Sequence, residues 1–227
     1  MSSVELYSYD ACPFAQRTRI VLAEKGVDYD LHEVDLQNKP DNWNEISPYG
    51  KVPVLRHAGG TVYESAIINE YLDEVFPEPP LMPDTALERA YARIWIDYCN
   101  SRFLPATHKL LWNTDKSADA RRKNLEELYS VLRFMQNEGL ARCGNGPYWF
   151  GTRPTLVDFH YLPFLERFGV YEKLAGFQWP GDCGRLRDWH AAIRARDSVR
   201  PTLKPLEVHI EQHHRLAERL ANLRAAS

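Results

Sequence analysis

Val4-Glu5-Leu6-Tyr7-Ser8-Tyr9-Asp10-Ala11-Cys12-Pro13-Phe14-Ala15-Gln16-Arg17 decides how the chain begins to fold. Residues 4–9 alternate apolar and polar side chains, the period of a strand, and Pro13 then opens a helical run to about Lys25. Proline suits the first helical position because its missing N–H would have had no partner there. Cys12 therefore falls at or beside the N-cap, where its sulfur faces unpaired amides and the positive end of the helix dipole. Such a setting lowers a thiol pKa from about 8.5 to as little as ~3.5 to 7.5, so the spacing predicts a reactive thiolate.

A redox helix often carries a second cysteine three residues further on, and Ala15 holds that place. No local disulfide can form, so a mixed disulfide on Cys12 needs an outside thiol to resolve it. Glutathione is the commonest such thiol in a reducing cell. Cys99, Cys143 and Cys183 read as small buried hydrophobes, and the four cysteines show neither metal-ligand nor disulfide spacing. That usage predicts a reducing, cytoplasmic setting.

A net charge of -3 offers no general attraction to nucleic acid or to an anionic membrane. Met1-Ser2-Ser3-Val4-Glu5 lacks the basic start and apolar run of a signal peptide, and no stretch reaches the about 18 apolar residues of a membrane helix.

Periodicity divides the chain in two. In residues 1–76 the first strand and helix lead to a second strand at Tyr29 to Val34. A hairpin follows from Val52-Pro53-Val54-Leu55-Arg56 through His57-Ala58-Gly59-Gly60 to Thr61-Val62-Tyr63, and then a helix carrying Ile67, Ile68, Tyr71, Leu72 and Val75. Residues 77–84 hold Pro77, Pro79, Pro80 and Pro83, too many for a helix or inner strand, and read as a linker. From 85 to 227 every periodic stretch is helical, as in Leu125, Leu128, Leu132 and Met135 or Val157, Tyr161, Phe164 and Phe168. The pattern predicts an α/β domain followed by an all-α domain.

Further candidates fall where an α/β sheet gathers residues at its carboxyl edge. A cis bond before Pro53 would turn the backbone of Val52 toward a peptide-like ligand. Ser65 reads as an N-cap able to bind a carboxylate, with Glu64 beside it for an ammonium group. Tyr9 is a possible hydroxyl donor, otherwise a strand side chain. His213 and His214, being adjacent, do not share a helix face and read as solvated surface rather than metal ligands.

Cys12-Pro13-Phe14-Ala15-Gln16-Arg17-Thr18-Arg19, Leu36-Gln37-Asn38-Lys39-Pro40, Lys51-Val52-Pro53-Val54-Leu55 and Tyr63-Glu64-Ser65-Ala66-Ile67 together resemble the glutathione transferase superfamily, specifically its cysteine-type omega class. The likeness is close over about residues 4–90, and Thr155-Leu156-Val157-Asp158 resembles the family's capping motif in the second domain. The resemblance implies a thioredoxin-like N-terminal domain, an all-α C-terminal domain and a homodimer. It implies that Cys12 forms a mixed disulfide with glutathione as cosubstrate, that Phe14 packs by the ligand and that Lys39 meets the glycyl carboxylate. Val52 would pair through its backbone before a cis Pro53, and Glu64 with Ser65 would hold the γ-glutamyl group.

A second substrate, electrophilic, disulfide or glutathionylated, would lie between the domains near Tyr98, Phe103, Leu110, Phe164 and Phe168, with Arg102 and Arg167 for an acidic one. A cysteine in this role favours thiol exchange: deglutathionylation, reduction of a mixed disulfide or dehydroascorbate, or thioether cleavage. The alternatives are glutathione conjugation to electrophiles and a non-enzymatic interaction module. No metal is expected.

Overall fold

The alternation of residues 4–9 becomes β1 (Glu5–Ser8), whose Leu6 and Ser8 face the buried side. In a computed structural model, residues 3–115 and 117–225 are described, with side chains as far as Asn222. Met1 and Ser2 of the N-terminal reading, and Ala226 and Ser227 at the end of the second half, lie outside them. β1 runs parallel to β2 (Asp30–Glu33) and antiparallel to β3 (Val54–His57), which closes a hairpin with β4 (Gly60–Tyr63), giving the strand order β2-β1-β3-β4. Leu6 is the register centre, opposite Leu31 on one side and Leu55 on the other.

α1 (Pro13–Lys25) crosses from β1 to β2 and ends at Gly26, whose φ of 61° terminates the helix in the left-handed region. α1 is buried nearly all round, Gln16 and Arg17 included, while Phe14 is 39% exposed. The reason is its position: α1 packs both on α3 (Ser65–Val75) and on a helix of the second half, α8 (Leu156–Leu165). A short helix, α2 (Trp43–Ile46), which periodicity could not show in so few residues, sets Trp43 and Ile46 in a small cluster with Ala15, Val34, Val52 and Val54.

The proline-rich stretch is held rather than loose. The carboxylate of Asp73 accepts from the amides of Leu81 and Met82 and pairs with Lys25, whose Nζ also donates to the carbonyls of Phe76 and Pro79 at 2.7 Å each. Beyond it, α4 (Ala86–Tyr98) passes through a π-helical turn at Cys99–Phe103 into α5 (Leu104–Trp112). Then come α6 (Ala118–Phe134), a second π turn at Met135–Leu140, α7 (Ala141–Cys143), α8, α9 (Phe168–Ala175), α10 (Gly184–Arg194) and α11 (Leu206–Ala225). One hydrophobic core runs through both halves, from Leu6, Ile20 and Leu55 to Phe103, Trp149 and Trp189. This is a mixed four-stranded α/β unit of thioredoxin type followed by a helical one.

α8 is the keystone of the second half. Its Asp158 is fully buried and accepts from the Thr155 amide at 2.6 Å, the Thr155 hydroxyl at 2.9 Å, the Trp149 amide at 2.8 Å and Trp189 Nε1 at 2.6 Å. A sequence-local cap thus also ties two tryptophans to the helix start.

Candidate active site

Cys12 is the N-cap of α1, with Pro13 as the first helical residue. Its amide donates to the Tyr9 carbonyl at 2.9 Å, closing the turn that follows β1, and its Sγ lies 3.9 Å from the carbonyl oxygen of Val52. The Val52–Pro53 peptide is cis, so Val52 presents its backbone to the thiol from the loop before β3. Tyr9 and Cys12 border the small apolar cluster of Ala15, Trp43 and Val54. Tyr9 therefore serves as packing at the strand end.

The local electrostatics correct the expectation of a strongly acidic thiol. Burial pushes the Cys12 thiol up; the amides of Ala15 and Phe14 and the guanidinium groups of Arg167 and Arg19 pull it down, and burial prevails. The helix-start amides act as the sequence implied. The apolar floor under the sulfur, which no local motif reveals, outweighs them.

Arg167 comes from the segment between α8 and α9. It donates through Nη2 to the Ala11 carbonyl at 3.2 Å, through Nη1 to Gln16 Oε1 at 3.4 Å and to the Pro163 carbonyl. Phe164, from α8, stands edge-on to Phe14 with ring centroids 5.2 Å apart. These two candidates of the second half meet the start of α1 beside Cys12. The other four lie elsewhere: Phe103 and Phe168 stack on each other at 6.0 Å inside the helical core, Tyr98 stacks on Phe134 at 5.1 Å, and Arg102 is exposed. Leu110 is buried in the same core. Helical periodicity cannot separate a cleft-facing aromatic from a core one; Phe103 and Phe168 are core, and Tyr98 is half-buried.

Of the residues assigned to a ligand, Lys39 is exposed and donates to the Gly50 carbonyl at 2.9 Å. Ser65 is the first residue of α3 rather than its cap; the capping position is held by Glu64, a non-glycine residue at φ 68°. That left-handed backbone is costly for glutamate, and such conformations cluster at functional sites. Among the described residues the Glu64 side chain makes no hydrogen bond, and Ser65 Oγ accepts from Arg17 Nη1 at 3.2 Å.

Sequence reasoning missed the polar pair behind the thiol. Gln16 Nε2 donates to Glu166 Oε2 at 2.7 Å, and Glu166 Oε1 takes the Lys204 amide at 2.7 Å and pairs with His209 Nε2 at 2.9 Å. Burial raises the Glu166 carboxyl, but these donors and Arg167 together lower it further. A polar residue on an otherwise buried helix was the available signal.

The N-terminal-domain model of glutathione S-transferase matches residues 6–80, and the C-terminal-domain model of the same family matches residues 115–192. Glutathione S-transferase U25 of Arabidopsis thaliana is 34% identical over 196 residues, 86% of each chain. The chain belongs to the glutathione S-transferase family. Among solved structures, rice GST1 in complex with glutathione superposes with a TM-score of 0.84 at 32% identity, covering 96% of this transferase and 97% of that chain. Glutathione transferase Omega 3C from Trametes versicolor superposes with a TM-score of 0.80 at 29% identity, covering 89% and 90%. The transferase holds its four cysteines as free thiols. Among its described residues, no helix is long and apolar enough to cross a membrane, and no group of three or more His, Cys, Asp or Glu could hold a metal.

Proposed function

We propose that this transferase uses Cys12 to exchange thiols with glutathione, as a thiol transferase or reductase. The observation that carries the reading is Cys12 at the N-cap of α1, under the Val52 carbonyl, with Ala15 in the place of a resolving thiol. In the forward step the Cys12 thiolate attacks the glutathionyl sulfur of a mixed disulfide. A Cys12–glutathione disulfide forms and the substrate leaves as its thiol, taking a proton. A glutathione thiolate then attacks the glutathionyl sulfur, releasing oxidised glutathione and restoring Cys12. Lys39 serves the glycyl carboxylate, the Val52 backbone the cysteinyl peptide, Glu64 and Ser65 the γ-glutamyl end, and Phe14 the ligand's flank. The second substrate enters beside Phe164 and Arg167.

Conjugation to electrophiles is the second reading, favoured by the upward shift of the Cys12 thiol. A neutral thiol can donate its S–H to a bound glutathione thiolate, which then attacks carbon. The likeness extends to transferases both with and without the omega label, so it does not choose between the two reactions.

The deciding experiment compares wild type with Cys12→Ala in two assays, reduction of a glutathionylated peptide and conjugation of an aromatic halide, alongside intact mass after oxidised glutathione. Thiol exchange requires a single glutathionyl adduct on Cys12 and loss of peptide reduction in the variant. Unchanged reduction without Cys12 rules it out.

The assembly belongs to the same proposal. Leu87, Tyr91 and Ile94 project from one side of α4, Leu87 62% and Ile94 57% exposed, and Ile67 of α3 is exposed as well. Such a patch supports a homodimer. The unpatterned cysteines support a cytoplasmic setting.

A further inference from the structure

A cavity of about 220 Å³ lies where α9, α10 and the start of α11 meet. None of Cys12, Phe14, Phe164 and Arg167 lines it. Glu166 stands between the cavity and the reactive helix: one carboxylate oxygen takes Gln16 of α1, and the other meets His209 in the cavity wall.

The wall is built from rings and imidazoles. Trp179 stands against Phe168 with ring centroids 5.0 Å apart and against His190 at 6.1 Å, and Leu206 closes one side. His209 is 3% exposed, and its Nε2 lies 2.9 Å from Glu166 Oε1. A carboxylate only accepts, so Nε2 carries the ring proton and Nδ1 of the neutral ring is a lone pair. That Nδ1 is closed off from solvent and has no partner among the described residues, and the same holds for His190 Nε2. Burial, reinforced by Arg194, lowers His190 to about 4, so its ring is neutral at physiological pH. Buried polar atoms without partners are costly and rare in native chains, and here two of them border one cavity.

The remaining lining narrows what could pair with them. Arg194 and Lys204 stand against Glu166 and Glu172 around the cavity, and Lys204 also pairs with Asp10 at 2.9 Å, so the wall does not select an ion. The volume is below the about 300 to 1,000 Å³ of sites for drug-sized molecules, which leaves room for one ring. A hydroxyl both donates and accepts, so it suits the His209 lone pair and either tautomer of His190. A flat ring between two hydroxyls packs on Phe168 and Trp179.

We propose that this cavity is a second ligand site, separate from the thiol chemistry, for a single-ring aromatic carrying two hydroxyls, with His190 and His209 as its hydrogen-bond partners. It holds whichever reaction Cys12 performs.

The test titrates the full chain, with and without glutathione, with resorcinol, m-cresol and m-xylene, rings of nearly equal size carrying two, one and no hydroxyls. Proton–nitrogen correlation spectra of the imidazoles report both affinity and contact. Resorcinol should shift the His190 and His209 nitrogen signals and bind about tenfold tighter than m-xylene, the worth of one or two hydrogen bonds, with m-cresol between and glutathione without effect. The reverse order, the most apolar ring tightest, would show a merely greasy gap and overturn the proposal. So would displacement by glutathione, or imidazole signals that stay still at about 5 mM resorcinol. His190→Phe keeps a ring and removes an unpartnered nitrogen, so it should lose about fivefold or more of the resorcinol affinity while its thermal midpoint does not fall. Unchanged affinity in that variant overturns the assignment; should it not fold, the order of the three ligands on wild type decides alone.

Discussion

Cys12 sits between two opposed influences, four groups that favour its anion and an apolar floor that disfavours it, and the floor prevails. A raised pKa means fewer thiolates at neutrality, so alkylation by iodoacetamide should be slow at pH 7 and rise about tenfold per pH unit until the thiol titrates, beyond the ordinary cysteine range. Peptide mapping of the alkylated residue against pH measures this; a plateau already reached at pH 6 contradicts the burial argument. Arg167→Met removes one cation that pulls the thiol down, so its profile should move to still higher pH. The position of Cys12 was legible from Pro13 alone. Its acidity was not, because the apolar cluster of Val52, Trp43 and Val54 against which Cys12 packs is assembled from distant parts of the chain.

Helices and their joints carry a second set of consequences. Asp158→Ala would strand the Trp149 amide, the Trp189 indole and the Thr155 donors in the core, a loss of about 3 kcal/mol or more by chemical denaturation. A loss below about 1 kcal/mol would mean that the cap acts only locally. Glu166 joins α1, the segment before α11, and α11 itself. Its carboxyl is lower in the folded chain than in the unfolded one, so its stabilisation is present above the ordinary glutamate range and lost as pH falls through the folded value. Acid unfolding of Glu166→Gln should therefore be less steep than that of wild type as pH falls below the ordinary glutamate range; superimposable curves would refute the linkage. The Thr155–Asp158 spacing announced the cap in sequence. Nothing local announced Glu166, because its partners come from residues 16, 204 and 209 and meet only after both halves dock.

For the molecule as a whole, the change of period and the proline-rich stretch led to the expectation of an α/β unit followed by helices, and the chain follows that order. The Asp73 and Lys25 contacts that hold that segment were hidden, since they pair α1 and α3 with backbone groups of irregular chain. The second-substrate aromatics were hard to sort for a related reason: Phe168 shares a helical period with Phe164, Tyr98 and Phe103 lie on another helical stretch, and only the docking of α8 on α1 brings Phe164 beside Phe14. The exposed side of α4 gives a prediction at this scale. Leu87→Glu with Ile94→Glu should convert a dimer to a monomer in sedimentation, with glutathione affinity retained; an unchanged sedimentation coefficient would place any assembly elsewhere.

Arg167 grips the Ala11 carbonyl from the far half of the chain, one residue before the thiol. The reactive turn is therefore shared property: residues 1–76 expressed alone would keep the cysteine and its amides while losing a guanidinium, the Phe164 ring and the Glu166 anchor of Gln16 together. On the thiol-exchange proposal, the docking of one half upon the other would help set the reactivity of Cys12, so the fit between halves would matter to the chemistry as well as to folding.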